Sequence, residues 1–160
     1  MESPLGMAEA IHTMLLDSHG GLIRVFPAVP PEWKEAFFYS LRAEGAFRIT
    51  ARREGGQTAY VHVVSEAGAP LAVSPGWTGA IHVRYCDGKE AQAIPNEKGY
   101  YAIPLQKGQS ALLTQRPGSP LAQADVAPIA CLEGKQAQYH LWGSYKPWRL
   151  FGIPACPAGK

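Results

Sequence analysis

The sequence predicts a mainly β fold, an antiparallel β-sandwich-type domain preceded by one N-terminal α-helix. Apolar residues recur with helical spacing before Gly20-Gly21. After that pair, short apolar segments recur roughly every ten residues, the spacing of β-sandwiches. The chain has 17 glycines and 14 prolines without a fixed period, which favours many turns. Its 160 residues, 46% of them apolar, are enough for one packed domain.

The helix is predicted over Pro4–Ser18. Ser3 is a preferred N-cap, and proline is tolerated at the first helical position because its missing N–H would be unpaired there. One apolar stripe follows helical spacing, and we expect it to be buried within the chain; it consists of Met7, Ile11, Met14 and Leu15. Gly20 or Gly21 can supply the left-handed residue that ends a helix.

Two further leucines, Leu5 and Leu16, project beside Glu9 and His12, away from that stripe. Single exposed leucines are ordinary, but this face is also what a helix presents to a partner that is absent. We expect the Leu5/Leu16 face to be either exposed to solvent or occupied by a neighbouring molecule.

The strands are predicted from alternating or continuous apolar segments bounded by turn residues. They are Leu22–Phe26, Phe37–Ala43, Phe47–Arg53, Thr58–Ser65, Pro70–Val73, Ala80–Tyr85, Tyr100–Pro104 and Ser110–Thr114. Residues 27–31 form a proline-rich turn, and Gly55-Gly56 and Asp87-Gly88 predict tight hairpins. Gln115–Pro128 is typical of a linker, and Gln138–Ile153 of a strand followed by an aromatic-rich loop.

Charge and cysteine content exclude several classes of function. The net charge is +2 with no block of lysine or arginine, so we expect no nucleic-acid partner. No apolar segment reaches membrane-spanning length, and we expect no membrane association. Cys86, Cys131 and Cys156 lack metal-ligand spacing, so no metal or other cofactor is expected. One disulfide is compatible with three cysteines, although we expect inert thiols.

No complete catalytic motif is visible. The chain has 13 carboxylates, most of them at turn or solvent-facing positions, and no sequence pattern pairs two of them for glycosidase chemistry. A nucleophile elbow and a phosphate-binding loop are both missing. His19 stands at the predicted helix C-terminus, where it would either cap its own helix or act as a site residue at an element junction.

Two tryptophans are candidates for substrate binding. Trp33 and Trp77 lie in segments flanked by proline or glycine, where a flat ring can be presented to the apolar face of a sugar. Alternatively, Trp33 closes a corner of the core. Trp77 is the one that we expect to be more open to a ligand.

The N-terminal third carries a resemblance to a known family. Residues 2–33 read ESPLGMAEAIHTMLLDSHGGLIRVFPAVPPEW, and residues 41–47 read LRAEGAF. Both segments resemble the end of the catalytic barrel and the start of the following domain in glycoside hydrolase family 95, the α-L-fucosidase/α-L-galactosidase family. The resemblance implies that residues 1–20 are the last helix of a missing (α/α)6 barrel and that residues 21–160 are the C-terminal β domain of a longer, secreted or periplasmic parent.

The same resemblance implies a function. The family's general base is an aspartate just before this helix, and Glu2 falls in register with it, with Pro4 where the family has asparagine. The general acid lies upstream of Met1. We therefore expect an accessory domain that is inactive alone and whose partner is the catalytic barrel. The alternative is a carbohydrate-binding module that uses exposed aromatic residues.

Overall fold

The computed structural model describes residues 3–116, with side-chain burial from Leu5 onward. Within this range lie α1 (Ser3–Leu15), β1 (Leu16–His19), β2 (Leu22–Val25), β3 (Ala36–Ala43), β4 (Phe47–Glu54), β5 (Gln57–Ser65), β6 (Leu71–Ser74), β7 (Ile81–Tyr85), β8 (Glu90–Ala93), β9 (Tyr101–Ile103) and β10 (Ser110–Thr114). In this part of the chain, no helix is both long and apolar enough to cross a bilayer.

The strands form two sheets with a single helix before them, which confirms the predicted fold class. One sheet has the order β1-β2-β6-β9 and the other has the order β3-β4-β5-β10-β7-β8. The β2–β6 pair is parallel, while the other paired strands of the described residues are antiparallel. The chain crosses to the second sheet after β2 and returns at β6. The β1–β2 hairpin therefore pairs with β6 rather than with β3.

The core lies between the two sheets. Alternate residues of both sheets point into it, and its fully buried members include Ile49, Val61, Val63, Leu71, Val73, Ile81, Tyr101, Ile103 and Leu113. The rings of Phe26 and Phe38 meet edge to face, with centroids 5.3 Å apart. Burial of these apolar side chains is the main force that holds the sheets together.

The junction after the helix differs from the prediction. The helix ends at Leu15, whereas we expected it to continue to Ser18, and residues 16–19 form a strand. Gly20 and Gly21 have φ angles of 65° and 76° and close a two-residue hairpin in which His19 pairs with Leu22. A hairpin of this kind needs two consecutive left-handed residues, whereas a helix end needs one. The glycine pair therefore turns a strand rather than ending a helix.

The predicted burial of the helix was wrong for Met7 and Ile11, whereas Leu15 is partly buried against the core. Met7 is 67% exposed and Ile11 is 42% exposed, because the helix contacts the β domain mainly at its C-terminal end. Leu5 is 72% exposed, as expected, but Leu16 is 2% exposed because it belongs to β1 and packs into the core. Leu16 therefore gives no support to a missing partner, whereas the Leu5, Met7 and Ile11 side chains are uncovered.

The remaining predicted strands are all present, with ends that differ by a residue or less. The turn at Gly55-Gly56 forms as expected, with φ angles of 56° and 83°. The prediction missed β8, an exposed edge strand. The predicted linker after Arg116 and the aromatic segment Gln138–Ile153 lie outside the described residues.

Candidate functional site

A cleft of about 220 Å³ opens at one end of the sandwich. Four segments meet there: the residues after β2, the β4–β5 hairpin, the β6–β7 loop and the end of β10. The lining residues are Val25, Phe26, Arg53, Gly56, Gln57, Thr58, Pro75, Gly76, Trp77, Thr78 and Gln115. Its buried floor is apolar, from Val25, Phe26 and Trp77, and its more exposed rim is polar.

Two short hydrogen bonds through Thr58 stabilise the floor of the cleft. The indole Nε1–H of Trp77 donates to the Thr58 carbonyl at 2.7 Å, and the Thr58 hydroxyl donates to the Pro75 carbonyl at 2.7 Å. The Gln115 side-chain amide donates to the Thr78 carbonyl at 3.3 Å. These bonds join β5, the β6–β7 loop and the end of β10, so the floor is preorganised by the fold.

The rim is formed where the segment before β3 crosses the β4–β5 hairpin. The Gly56 N–H donates to the Lys34 carbonyl at 2.9 Å, and the Gly55 N–H donates to a Glu35 carboxylate oxygen at 3.0 Å. The Nε–H of Arg53 donates to the Trp33 carbonyl at 3.2 Å. The guanidinium of Arg53 is therefore held at the rim directly beside Trp33.

Phe26 occupies an unusual backbone conformation at the edge of the cleft. Its φ angle is 55°, in the left-handed region that phenylalanine seldom adopts. The ring is buried, and the Phe26 N–H donates to the Leu15 carbonyl at 2.8 Å. Packing and this hydrogen bond therefore hold the residue in place against its local preference.

Among residues 3–116, the lining of the cleft contains no carboxylate, histidine, cysteine or lysine. Glycoside hydrolysis needs two carboxyl groups that flank the scissile bond, and the described lining supplies neither. It supplies hydrogen-bond donors and acceptors above an apolar floor, an arrangement that suits ligand binding.

The structure places the predicted site residues apart. His19 is exposed at the β1–β2 turn, whereas Val25, at the cleft, is at the other end of the same hairpin, roughly 10 Å along the strand. The hairpin turn is tied to the β3–β4 turn, because the Glu44 carboxylate accepts the Gly21 N–H at 3.1 Å and the Glu44 N–H donates to the Ser18 hydroxyl at 3.0 Å. Glu2 lies outside the described residues.

The two tryptophans have exchanged roles relative to the expectation. Trp77 is 7% exposed, because its indole is hydrogen-bonded beneath the β5 backbone, so its ring is not presented to solvent. Trp33 is 44% exposed and does not close a corner of the core. A flanking glycine thus predicted the turn at Trp77 but not the direction of its ring.

Sequence reasoning missed Arg53, Gln57 and Gln115, which supply the polar rim. A signal was present for Arg53, since it comes immediately before the predicted Gly55-Gly56 turn and therefore belongs to the end of a hairpin, where loops carry function. Gln115 was assigned to a linker, and nothing in the sequence indicates that β10 ends beside the β6–β7 loop.

Perturbed ionisation is found away from the cleft. Burial, followed by the nearby charge of Arg48, lowers the pKa of His62 on β5. Burial raises the pKa of Tyr101, whose hydroxyl donates to the Gly79 carbonyl at 2.8 Å. Among residues 3–116, no group of three or more histidine, cysteine, aspartate or glutamate side chains is arranged to hold a metal ion.

Comparison with known proteins agrees with the architecture. A family model described as the C-terminal domain of glycoside hydrolase family 95 matches residues 17–113, more than half of the chain. The match begins just after α1 ends and stops within β10, so it spans the two sheets. A comparison with curated proteins found no match. The chain thus belongs to glycoside hydrolase family 95, of which it contains the C-terminal domain.

Proposed function

We propose that this chain is an accessory domain of a family-95-type α-L-fucosidase or α-L-galactosidase, that it has no catalytic activity alone, and that it supports the catalytic barrel of its parent through α1. The observation that carries the proposal is the family match, which covers the two sheets but not the helix. The helix is then the segment that joins the β domain to the barrel.

The exposure of α1 supports a partner on the helix. Met7 and Ile11 lie on one face, while Leu5 projects about 140° away from the centre of that face. A helix with apolar residues on more than one face is normally buried, and a helix of 13 residues is only marginally stable without packing. A barrel that receives α1 as its last helix would cover both faces.

Two predicted site residues belong to this proposal. Glu2 would supply the general base at the start of α1, in the parent rather than in this domain. His19 would face the barrel from the β1–β2 turn, where its exposed position leaves it accessible.

The barrel proposal is tested by association. The chain is mixed with a family-95 catalytic barrel expressed without its own last helix and C-terminal domain, and binding is followed by calorimetry. We expect binding that the double substitution M7K/I11K abolishes, because it places two charges in an apolar contact. The matched control is T13K, which adds one charge at an exposed position on the polar side of the same helix. Binding unaffected by M7K/I11K would contradict the proposal.

Activity is tested separately. Aryl α-L-fucoside and α-L-galactoside are incubated with the chain alone and with the chain–barrel complex. We expect no turnover by the chain alone and an increase in barrel activity on association. Turnover by the chain alone would refute the accessory role.

A second candidate function is carbohydrate binding, favoured by the exposed ring of Trp33 beside the cleft. The hydrogen bond from Arg53 goes to the Trp33 backbone carbonyl, so the backbone that carries this ring lies next to a residue of the cleft lining. An exposed aromatic ring next to polar groups is the usual composition of a sugar-binding surface. Quenching of tryptophan fluorescence by oligosaccharides, lost in W33A, would support this function.

A further inference from the structure

We propose that the cleft binds an anionic sugar unit, carrying a carboxylate or a sulfate ester, with Arg53 as the group that contacts the anion. The inference rests on the carbohydrate-binding candidate and names its ligand class. It follows from an uncompensated positive charge at the rim, from the size and lining of the cleft, and from the exposed ring beside it.

The charge at the rim is unpaired. Most arginines of the described residues are in ion pairs: Arg24 with Asp17, Arg42 and Arg48 with Glu66, Arg52 with Glu54, and Arg84 with Glu90. Arg53 lines the cleft and has no carboxylate within 4.0 Å among residues 3–116. Its hydrogen bond goes to a backbone carbonyl, so within the described part of the chain its charge has no ion-pair partner.

A second cation stands on the same side. A methyl group placed on Gly56 would lie 3.9 Å from Arg53 Nη2 and 3.8 Å from Lys34 Nζ, so both cations flank this glycine. Lys34 also takes part in no ion pair within the described part of the chain. Two cations close together repel each other unless an anion joins them. The absence of a side chain at Gly56 leaves the space between them open.

The nearby carboxylates are engaged elsewhere. Glu35 accepts the Gly55 N–H at 3.0 Å, and Glu54 pairs with Arg52. Neither lines the cleft, so no carboxylate of residues 3–116 stands in its lining to repel an anionic ligand. An anion entering the cleft would therefore meet positive charge at the rim.

The guanidinium is oriented for recognition. The Nε–H of Arg53 is used by the Trp33 carbonyl, which fixes the plane of the group and leaves the N–H groups of Nη1 and Nη2 for a ligand. Arginine binds carboxylate and sulfate-like oxyanions through such paired donors, and hydrogen bonds of this kind are stronger than neutral ones. Because the guanidinium is already held in place, less conformational entropy is lost when a ligand binds.

The rest of the cleft suits a sugar. Its volume of about 220 Å³ is smaller than sites for drug-sized ligands, about 300–1,000 Å³, and matches one sugar ring rather than a long oligosaccharide. The side chains of Gln57, Thr78 and Gln115 provide hydrogen-bonding groups for hydroxyls. The exposed Trp33 ring offers an apolar surface for the C–H face of the same or a neighbouring ring.

The proposal is tested with matched saccharides. Digalacturonate, a 6-sulfated galactobiose and neutral galactobiose are titrated into the full chain by calorimetry, with amide chemical shifts recorded in parallel. We expect the anionic sugars to bind about ten- to a hundred-fold more tightly than the neutral one, and the difference to shrink at high salt. Amide shifts should cluster at the β4–β5 hairpin and the β6–β7 loop. Tight binding of digalacturonate alone would identify the carboxylate as the source, and equal binding of the sulfated sugar would identify a general oxyanion site.

The variant R53Q should remove the preference for anions, and R53K, which keeps the charge without the fork, should retain part of it. R84Q is the matched control, because it removes an exposed arginine of β7 that does not line the cleft. Circular dichroism of each variant separates loss of binding from loss of fold. Equal binding of neutral and anionic sugars, unchanged in R53Q, would overturn the anionic ligand while leaving the carbohydrate-binding function. No binding of any of the three sugars would overturn both, and the accessory role would still be decided by barrel association.

Discussion

Replacing Trp77 with phenylalanine tests whether this residue is a structural clamp. The substitution keeps an aromatic ring but removes the N–H that donates to the Thr58 carbonyl at 2.7 Å. A buried acceptor that loses its donor costs about 1–3 kcal/mol. The missing part of the indole also leaves space in a site that is 7% exposed, which adds about 1 kcal/mol. We therefore expect W77F to lower the free energy of unfolding by about 2–4 kcal/mol.

The matched control is W33F, the same chemical change at a ring that is 44% exposed. Exposed substitutions of this type usually change stability by no more than about 0.5 kcal/mol. In thermal unfolding followed by circular dichroism, each kcal/mol corresponds to about 2–4 °C in a protein of 150–250 residues, the range that includes this chain of 160. W77F should thus lower Tm by at least about 4 °C and W33F by less than about 2 °C. Equal Tm values would refute the clamp and would return Trp77 to the set of candidate ligand contacts.

Two further predictions concern the pH dependence of stability and the packing of one glycine. Burial and Arg48 lower the pKa of His62, so as the pH falls through 6.5 the unfolded chain binds a proton before the folded chain does. The contribution of neutral His62 to the free energy of unfolding is therefore full above pH 6.5 and is lost as the pH falls toward the lowered folded pKa. In H62Q, the dependence of Tm on pH between about pH 7.5 and 5 should be flatter than in the parent chain. An identical dependence in both chains would exclude His62 as its cause. In G68A, the new Cβ would lie 2.7 Å from the Lys107 backbone nitrogen, whereas in G99A it meets nothing within 4 Å at a similar positive φ. In urea unfolding, the free energy of unfolding of G68A should be about 1–3 kcal/mol lower than that of G99A. Equal free energies would mean that the loop at Lys107 shifts to accommodate the new methyl group without cost.

Most of the strands could be predicted from the sequence because their apolar residues alternate. In β4 and β5, inward residues such as Ile49 and Val63 are separated by outward polar ones, and the glycine pair between the strands permits one tight turn. The edge strand β8 has no such pattern: it is exposed along most of its length, so burial leaves no trace in its sequence. Pairing with β7 determines that strand, and pairing is not visible in a local segment.

The errors around the first hairpin have a different origin. Leu16 falls on the same projected helix face as Leu5, so the sequence before Gly20 is compatible with one more helical turn. The strand wins because Leu16 can then enter the core opposite Val25, a tertiary gain that outweighs local helical preference. The cleft could not be predicted for a similar reason. Its residues come from four segments whose meeting depends on the strand order, and the exposure of Trp33 and Trp77 depends on hydrogen bonds between distant residues.

The direct passage from α1 into β1 has a mechanical consequence. Leu15 ends the helix and Leu16 begins the strand, with no loop between them. The last helical carbonyls are also held from the side, because the Leu15 carbonyl accepts the Phe26 N–H at 2.8 Å and the Met14 carbonyl accepts the Ala28 N–H at 3.4 Å. The helix therefore cannot swivel about its C-terminal end without breaking these bonds. A domain attached to the N-terminal end of α1 would therefore move rigidly with the helix. Its rotation would act directly on the β1–β2 hairpin and, through the pairing of β2 with β6, on β6.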